Sequence, residues 1–359
     1  MQQEPAWLLV NFNQSVQRLQ QLISIPSFSK EEHDAATCFE KWMNEDGITY
    51  QRACNNLWAT NKYFDECKPN ILLNSHLDTV KPNSGYTRNP FDASIIDDKL
   101  LGLGSTDAGG ALMCLYHTFK QFYLTENLAY NLIFAATAEE EISGKNGIES
   151  MIPLLPKLDL AIVGEPTEMH LAIAEKGLLV LDCLSEGKAG HAARNEGENA
   201  IYKALVDIDW FKNYRFPKVS TTLGEIKMSV TMIQAGVQHN VIPAECTFTV
   251  DVRCTDVYTH QEILDIIQQH VTCKVTPRST RIKPSGIDTT HPVVLAAQTL
   301  GRNLYGSPTT SDQALIPYPS VKIGPGNSAR SHQADEFIYL YEIKEGLLIY
   351  HQLLSKLLT

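Results

Sequence analysis

Long apolar runs are missing: nowhere does the chain approach the ~18 consecutive apolar residues that a membrane-crossing helix needs. Its opening, Met1-Gln2-Gln3-Glu4-Pro5, lacks the basic-then-apolar order of a secretory signal. A cytoplasmic protein without a membrane partner is the expectation. Positive charge is also short, with 30 Lys and Arg against 41 Asp and Glu and no basic cluster anywhere. A nucleic-acid partner would find no electrostatic footprint, so a small molecule or a protein is the expected partner. Eight cysteines are present without a single CxxC pair, which excludes zinc ribbons and thioredoxin-like redox motifs. Contexts such as Ala111-Leu112-Met113-Cys114-Leu115 predict reduced, buried thiols. Internal repeats and low-complexity tracts are absent as well.

What is present reads as a globular chain of about two domains: 359 residues, 43% hydrophobic and 20% charged. A helix is predicted over 30–46, where Ala35, Phe39, Trp42 and Met43 recur on one face and Gly47 supplies the stop. Short β-type runs at 71–73, 132–134 and 160–163 then alternate with helices over 107–123 and near 147–151. That order predicts an α/β fold, a mixed and largely parallel sheet flanked by helices. After about 175 the pattern changes to longer alternating strands (178–184, 226–233, 246–252) with helices at 198–210 and 259–271. This reads as a small α+β, ferredoxin-like module inserted into the first domain. From about 284 a helix (292–304), a strand (321–323) and a Leu-rich C-terminal helix complete the first domain. The expected boundaries are 1–175, 176–284 and 285–359.

His76, Asp107, the run Glu139-Glu140-Glu141, Glu165 and His332 all fall at or just past the ends of predicted strands. Ligand sites of open α/β sheets lie at the carboxyl ends of strands, so these side chains should converge. Taken singly, each is as readily a solvated loop residue, and Asp107 before Ala108-Gly109-Gly110 is as readily a helix cap. As a set they are harder to dismiss. Three consecutive glutamates after Ala135-Ala136-Thr137-Ala138 repel one another unless a cation relieves them. Asp78, two residues beyond His76 in extended chain, returns to the same face and could fix the imidazole tautomer. Histidine and carboxylate ligands without thiolates suit zinc, cobalt or manganese, and a two-metal centre needs a bridging carboxylate, for which Asp107 is the natural choice.

Several segments in order, His76-Leu77-Asp78-Thr79-Val80, Gly102-Leu103-Gly104-Ser105-Thr106-Asp107, Ala138-Glu139-Glu140-Glu141 and Gly164-Glu165-Pro166-Thr167, resemble the motifs of one family. It is the dinuclear-zinc metallopeptidase family of acetylornithine deacetylase, succinyl-diaminopimelate desuccinylase, aminoacylase and carboxypeptidase G. Gly190-His191, Asn240-Val241-Ile242-Pro243, Asp251-Val252-Arg253, Gly324-Pro325-Gly326 and His332-Gln333-Ala334-Asp335-Glu336 continue the resemblance over nearly the whole chain. It implies a zinc-peptidase-like catalytic domain with an inserted lid and dimerisation domain. It also implies two divalent ions, zinc first and cobalt as the alternative. His76, Asp107 and Glu165 would hold one ion, and Asp107, Glu141 and His332 the other. Glu140 would be the general base, with Glu139 standing where the family carries Asp, and the peptide after Asp107 would be cis. His191 would reach the site of a partner subunit, making a homodimer, while Asn240, Arg253 and Gly326 would bind substrate.

The implied reaction is hydrolysis of an N-acyl amino acid: Glu140 takes a proton from the attacking water and returns it to the leaving amine. N-acetylornithine fits best, as in arginine biosynthesis, with N-acetyl- or N-succinylcitrulline, N-succinylornithine, N-succinyl-diaminopimelate and a small peptide left open. A catalytically silent binding protein is disfavoured because neither Glu140 nor any ligand is lost. A structural metal site is disfavoured because such sites are usually closed and Cys-rich.

Overall fold

The structure is a computed structural model that describes residues 5–194 and 196–359; the first four residues of the N-terminal reading lie outside it. Strand Asn70–His76 is buried at every position, as expected of a parallel strand covered on both faces. It lies between the parallel strands Asn131–Thr137 and Leu160–Val163. Asn56–Thr60 joins antiparallel on one side, and Ser320–Lys322 joins parallel to Leu160–Val163 on the other. The predicted mixed, largely parallel sheet is therefore present.

Period-two alternation divides its side chains between two cores. Leu73, Phe134 and Ile162 face helices Ala6–Ile23, His33–Glu45, Gly110–Phe122 and Leu340–Leu358. Leu72, Ile133 and Ala161 face a smaller core with Ile148, Met151 and Ile316. Helix Ala6–Ile23 has no counterpart among the predicted elements. Its buried face includes Asn11, Ser15 and Arg18 beside Leu19 and Leu22, so polar residues interrupt the apolar stripe that signals a helix. Arg18 is nevertheless satisfied there, 2.6 Å from Asp46 and lying over the Trp42 and Tyr116 rings.

The chain divides into two units. The first takes the chain up to Ile173 together with Gly286–Tyr305 and Ser311–Thr359, and the second takes Ala174–Ser285 and Gly306–Thr310. In the second, Lys227–Ala235, Glu245–Cys254, Gly177–Glu186 and Lys274–Pro277 form, in that order, an antiparallel sheet. Leu179, Leu181, Phe248 and Val250 pack beneath it with Ala204 and Phe211 of helix Ala200–Asn213 and Ile263 and Ile267 of helix His260–His270. Thr259 opens the latter helix in a reciprocal cap with Glu262. All eight cysteines are free, with Cys54 and Cys67 exposed. Among the described residues no helix is long and apolar enough to cross a membrane.

His117, inside helix Gly110–Phe122, is fully buried and neither ring nitrogen has a hydrogen-bond partner. Burial, and then the charges of Arg18 and Lys120, push its imidazole down to about 3. The unfolded chain therefore takes up this proton first, near the ordinary histidine value, and stability is lost as pH falls from there toward 3, by up to about 1.4 kcal/mol per pH unit. In denaturant titrations a His117→Leu variant is expected to lose less stability than the parent protein between about pH 6 and about pH 4. Equal losses would show that His117 is not the titrating group.

Candidate metal centre

Three neighbouring parallel strands deliver their carboxyl ends to one edge of the sheet, and each is followed by a candidate ligand. Asn70–His76 ends on His76, Asn131–Thr137 leads into the turn bearing Glu140 and Glu141, and Leu160–Val163 leads into Glu165. Asp107 comes from the tight turn Ser105–Gly109 and His332 from the loop after Ser320–Lys322. Asp107 does not cap the following helix, which begins at Gly110 with Gly109 before it and no side-chain cap. Its peptide bond to Ala108 is cis, as the resemblance implies.

One ligand atom each from His76, Asp107 and Glu165 lie within 4.8 Å of one another, and so do atoms of Asp107, Glu141 and His332. Asp107 turns one oxygen to each histidine: Oδ1 is 3.3 Å from His76 Nε2, and Oδ2 is 3.5 Å from His332 Nε2. Glu165 Oε1 stands 3.8 Å and Glu140 Oε2 3.9 Å from His76 Nε2. His332 Nε2 is 2.9 Å from Glu141 Oε2. This is the geometry of two three-residue cation sites with a shared carboxylate.

The surrounding groups hold the set in place. His76 Nδ1 donates to the backbone carbonyl of Asp78 at 2.9 Å, which leaves Nε2 facing the acids. The tautomer is therefore set chiefly by the Asp78 main chain, its carboxylate lying farther off at 3.5 Å. That carboxylate instead accepts from Ser29 Oγ (2.7 Å) and from the backbone N–H groups of Glu140 (3.0 Å) and Glu141 (3.2 Å). Glu139 occupies a left-handed conformation at φ 55° and accepts from Asn146 Nδ2 at 2.9 Å, away from the ligands.

Three further carboxylates had no role in the sequence reading. Glu32 accepts from Glu139 N–H (3.1 Å) and Asn55 Nδ2 (2.8 Å). Asp312 accepts from Asn74 Nδ2 and Thr137 Oγ1, both at 2.8 Å. Glu336 accepts from the backbone N–H groups of Gly104, Thr106 and Asp107. Of these, only Glu336 fell inside a recognised motif.

Burial and like charge make the cluster a poor place for so many carboxylates. Burial pushes Glu165 up to about 8, with the charge of Asp107 adding to it. Glu140 lies well above the carboxylate range, through burial and the charges of Glu165, Asp312 and Glu141 against the opposing pull of His76. Glu141 is raised by burial, against its bond to His332. The histidines go the other way: the bond to Glu141 lifts His332 to about 9, and His76 stays well above its usual range because Asp107 and Asp78 outweigh its burial. Such a site favours added positive charge, and its imidazole and carboxylate donors fit divalent transition-metal ions.

Gly326 belongs to the first unit, at φ +88°, and its carbonyl accepts from Glu168 N–H. His191, Asn240 and Arg253 belong to the second unit. His191 is exposed in a two-residue ladder with Val241, and Ala192 N–H donates to the Asn240 carbonyl. The Arg253 guanidinium is engaged by both Asp251 oxygens, at 2.8 and 3.1 Å, and by Thr310 Oγ1.

The model of peptidase family M20/M25/M40 matches residues 72–356. By sequence the chain is 28% identical over 353 residues to a [LysW]-lysine/[LysW]-ornithine hydrolase of Sulfurisphaera tokodaii, covering 94% of each. Its fold is similar to that of an M20 family metallo-carboxypeptidase from Sulfolobus solfataricus (TM-score 0.75, 17% identity, 96% of this chain and 98% of that one). It is also similar to that of a dinuclear metal binding M20 peptidase from Bacillus subtilis (TM-score 0.73, 16% identity, 97% and 99%).

Zinc added to metal-free protein is expected to raise its melting temperature, since a ligand at about 100 times its Kd adds about 2.7 kcal/mol. Glu141→Gln should shrink the rise and Glu139→Gln should leave it intact. The reverse order would move the ligand position in this run by two residues.

Proposed function

The chain belongs to peptidase family M20/M25/M40, and on that premise we propose that it hydrolyses the amide bond of an N-acyl amino acid, with Glu140 transferring the proton. The observation that carries this reading is the contrast between adjacent glutamates. Glu141 is bonded to His332, whereas Glu140 stands over the same centre, 3.9 Å from His76 Nε2, held by its backbone rather than by a ligand contact. His76, Asp107 and Glu165 would hold one ion and Asp107, Glu141 and His332 the other, with zinc first and cobalt as the alternative. Bound there, the ions would supply Lewis acidity and bring the pKa of water toward neutrality.

Glu140 accepts the proton of the attacking water and delivers it to the departing nitrogen, so one carboxylate serves both halves of the reaction. N-acetylornithine is the first substrate in view, with N-acetyl- and N-succinylcitrulline and N-succinylornithine behind it. The name of the Sulfurisphaera relative, a hydrolase of lysine and ornithine conjugates, supports a basic amino acid as the released product. N-succinyl-diaminopimelate and small peptides form the second reading, to which the peptidase neighbours lend weight by fold alone.

The second unit is proposed as the lid and the homodimer contact of a cytoplasmic enzyme. Lys227–Ala235 is an edge strand with Met232 and Ile233 exposed, and helix Ala200–Asn213 exposes Tyr202, Leu205 and Val206. An uncovered apolar edge of this kind invites pairing with a second copy. His191 would then serve the partner's site as an oxyanion donor. Asn240, Arg253 and Gly326 would contact substrate, Arg253 by exchanging Asp251 for the substrate carboxylate.

Glu140→Gln is expected to keep its metal content and lose about 10²–10⁴ in kcat, measured by amine release across the acyl amino acids above and a few dipeptides. Metal loss in this variant, or full activity, would contradict the assignment. Hybrids of His191→Ala and Glu140→Ala subunits should recover activity if His191 acts across the dimer, and no recovery would place it in its own subunit's site or in none.

A further inference from the structure

We propose that Glu336 is a positioning residue for the metal centre: its carboxylate fixes the turn that carries Asp107 and thereby sets the affinity for the ions that share this aspartate. The inference rests on the two-ion reading above. Glu336 is only 2% exposed. Its Oε1 accepts from Thr106 N–H at 2.8 Å and Asp107 N–H at 3.0 Å, and its Oε2 accepts from Gly104 N–H at 3.0 Å.

These three amides sit at the start of an irregular turn, where Gly104 holds φ +76° and no strand or regular helix takes up their hydrogen bonds. An acceptor with two oxygens replaces the missing ladder. Three convergent donors and no facing acceptor call for a carboxylate, since an amide would set its own NH₂ against a backbone N–H. Leaving buried donors unmet is costly.

Main-chain bonds tie the same two segments together. Gly102 N–H donates to the Glu336 carbonyl at 2.9 Å, and Thr106 Oγ1 donates to the Phe337 carbonyl at 2.6 Å. Phe337–Tyr339 then pairs antiparallel with Lys99–Leu101. His332 lies four residues before Glu336 on this segment. One clamp therefore locates two of the three groups, Asp107 and His332, that would hold the second ion. Outer partners of this sort are worth about 10–100-fold in metal affinity.

The test titrates Zn²⁺ into the metal-free parent protein, Glu336→Gln and Glu336→Asp, reading both binding constants by chelator competition and the coordination by Co²⁺ absorption. Glu336→Gln is expected to bind the second ion about 10–100-fold more weakly and to show an altered Co²⁺ spectrum, with kcat largely recovered at saturating Zn²⁺. Glu336→Asp, which keeps the charge but shortens the reach, should fall between the two. Should Glu336→Gln not fold, Glu336→Asp decides alone. Parent-like Zn²⁺ constants and spectrum in a folded variant would overturn the proposal. A parent protein that never binds a second ion would overturn the two-ion reading and this proposal with it.

Discussion

Negative charge confined at the carboxyl edge of a buried sheet is the constraint around which the first unit is arranged. Asp107, Glu140, Glu141 and Glu165 crowd two imidazoles, and burial withholds the water that would otherwise screen them. The chain meets this repulsion in two ways. It turns Asp78, Glu32, Asp312 and Glu336 outward from the cluster toward backbone N–H groups, hydroxyls and amides. It leaves the remaining oxygens facing His76 and His332, where only added positive charge can balance them. The doubly covered sheet serves this end, because a site of such cost needs rigid strands on which to be held.

Order within the cluster follows from the main chain more than from side-chain identity. Asp78 anchors the amides of Glu140 and Glu141, so neighbouring residues in one turn take different places: one bonded to His332, the other 3.9 Å from His76 Nε2. Glu139 is drawn off toward Asn146. A run of three equal residues thus acquires three separate environments, which composition alone does not distinguish.

Much of this was legible in the sequence. The strands read clearly where apolar runs are buried on both faces, as at 71–73 and 160–163. The first of these ran short at its polar end, where Asn74, Ser75 and His76 stay in the ladder with Ala135, Ala136 and Thr137 and Asp312 accepts from Asn74 and Thr137. Helix Ala6–Ile23 escaped notice since Arg18 is buried through Asp46 and two rings rather than through hydrophobicity. The convergence of His76, Asp107, Glu141, Glu165 and His332 was readable because each ends a strand or sits in a motif. Asp312 and Glu32 were not, because an acceptor for a distant amide leaves no local pattern, and Glu336 stood inside a motif without a role for the same reason. Asp78 was expected to orient His76 through its carboxylate, and the structure gives that task mainly to its carbonyl.

The central claim is that a single aspartate, Asp107, serves two divalent ions. Anomalous diffraction at the zinc edge, on crystals grown with zinc, tests it most directly. The account predicts two peaks about 3.5–4 Å apart on either side of the Asp107 carboxylate, one beside His76 and Glu165 and the other beside Glu141 and His332. A single peak, or two peaks of which Asp107 reaches only one, would contradict it.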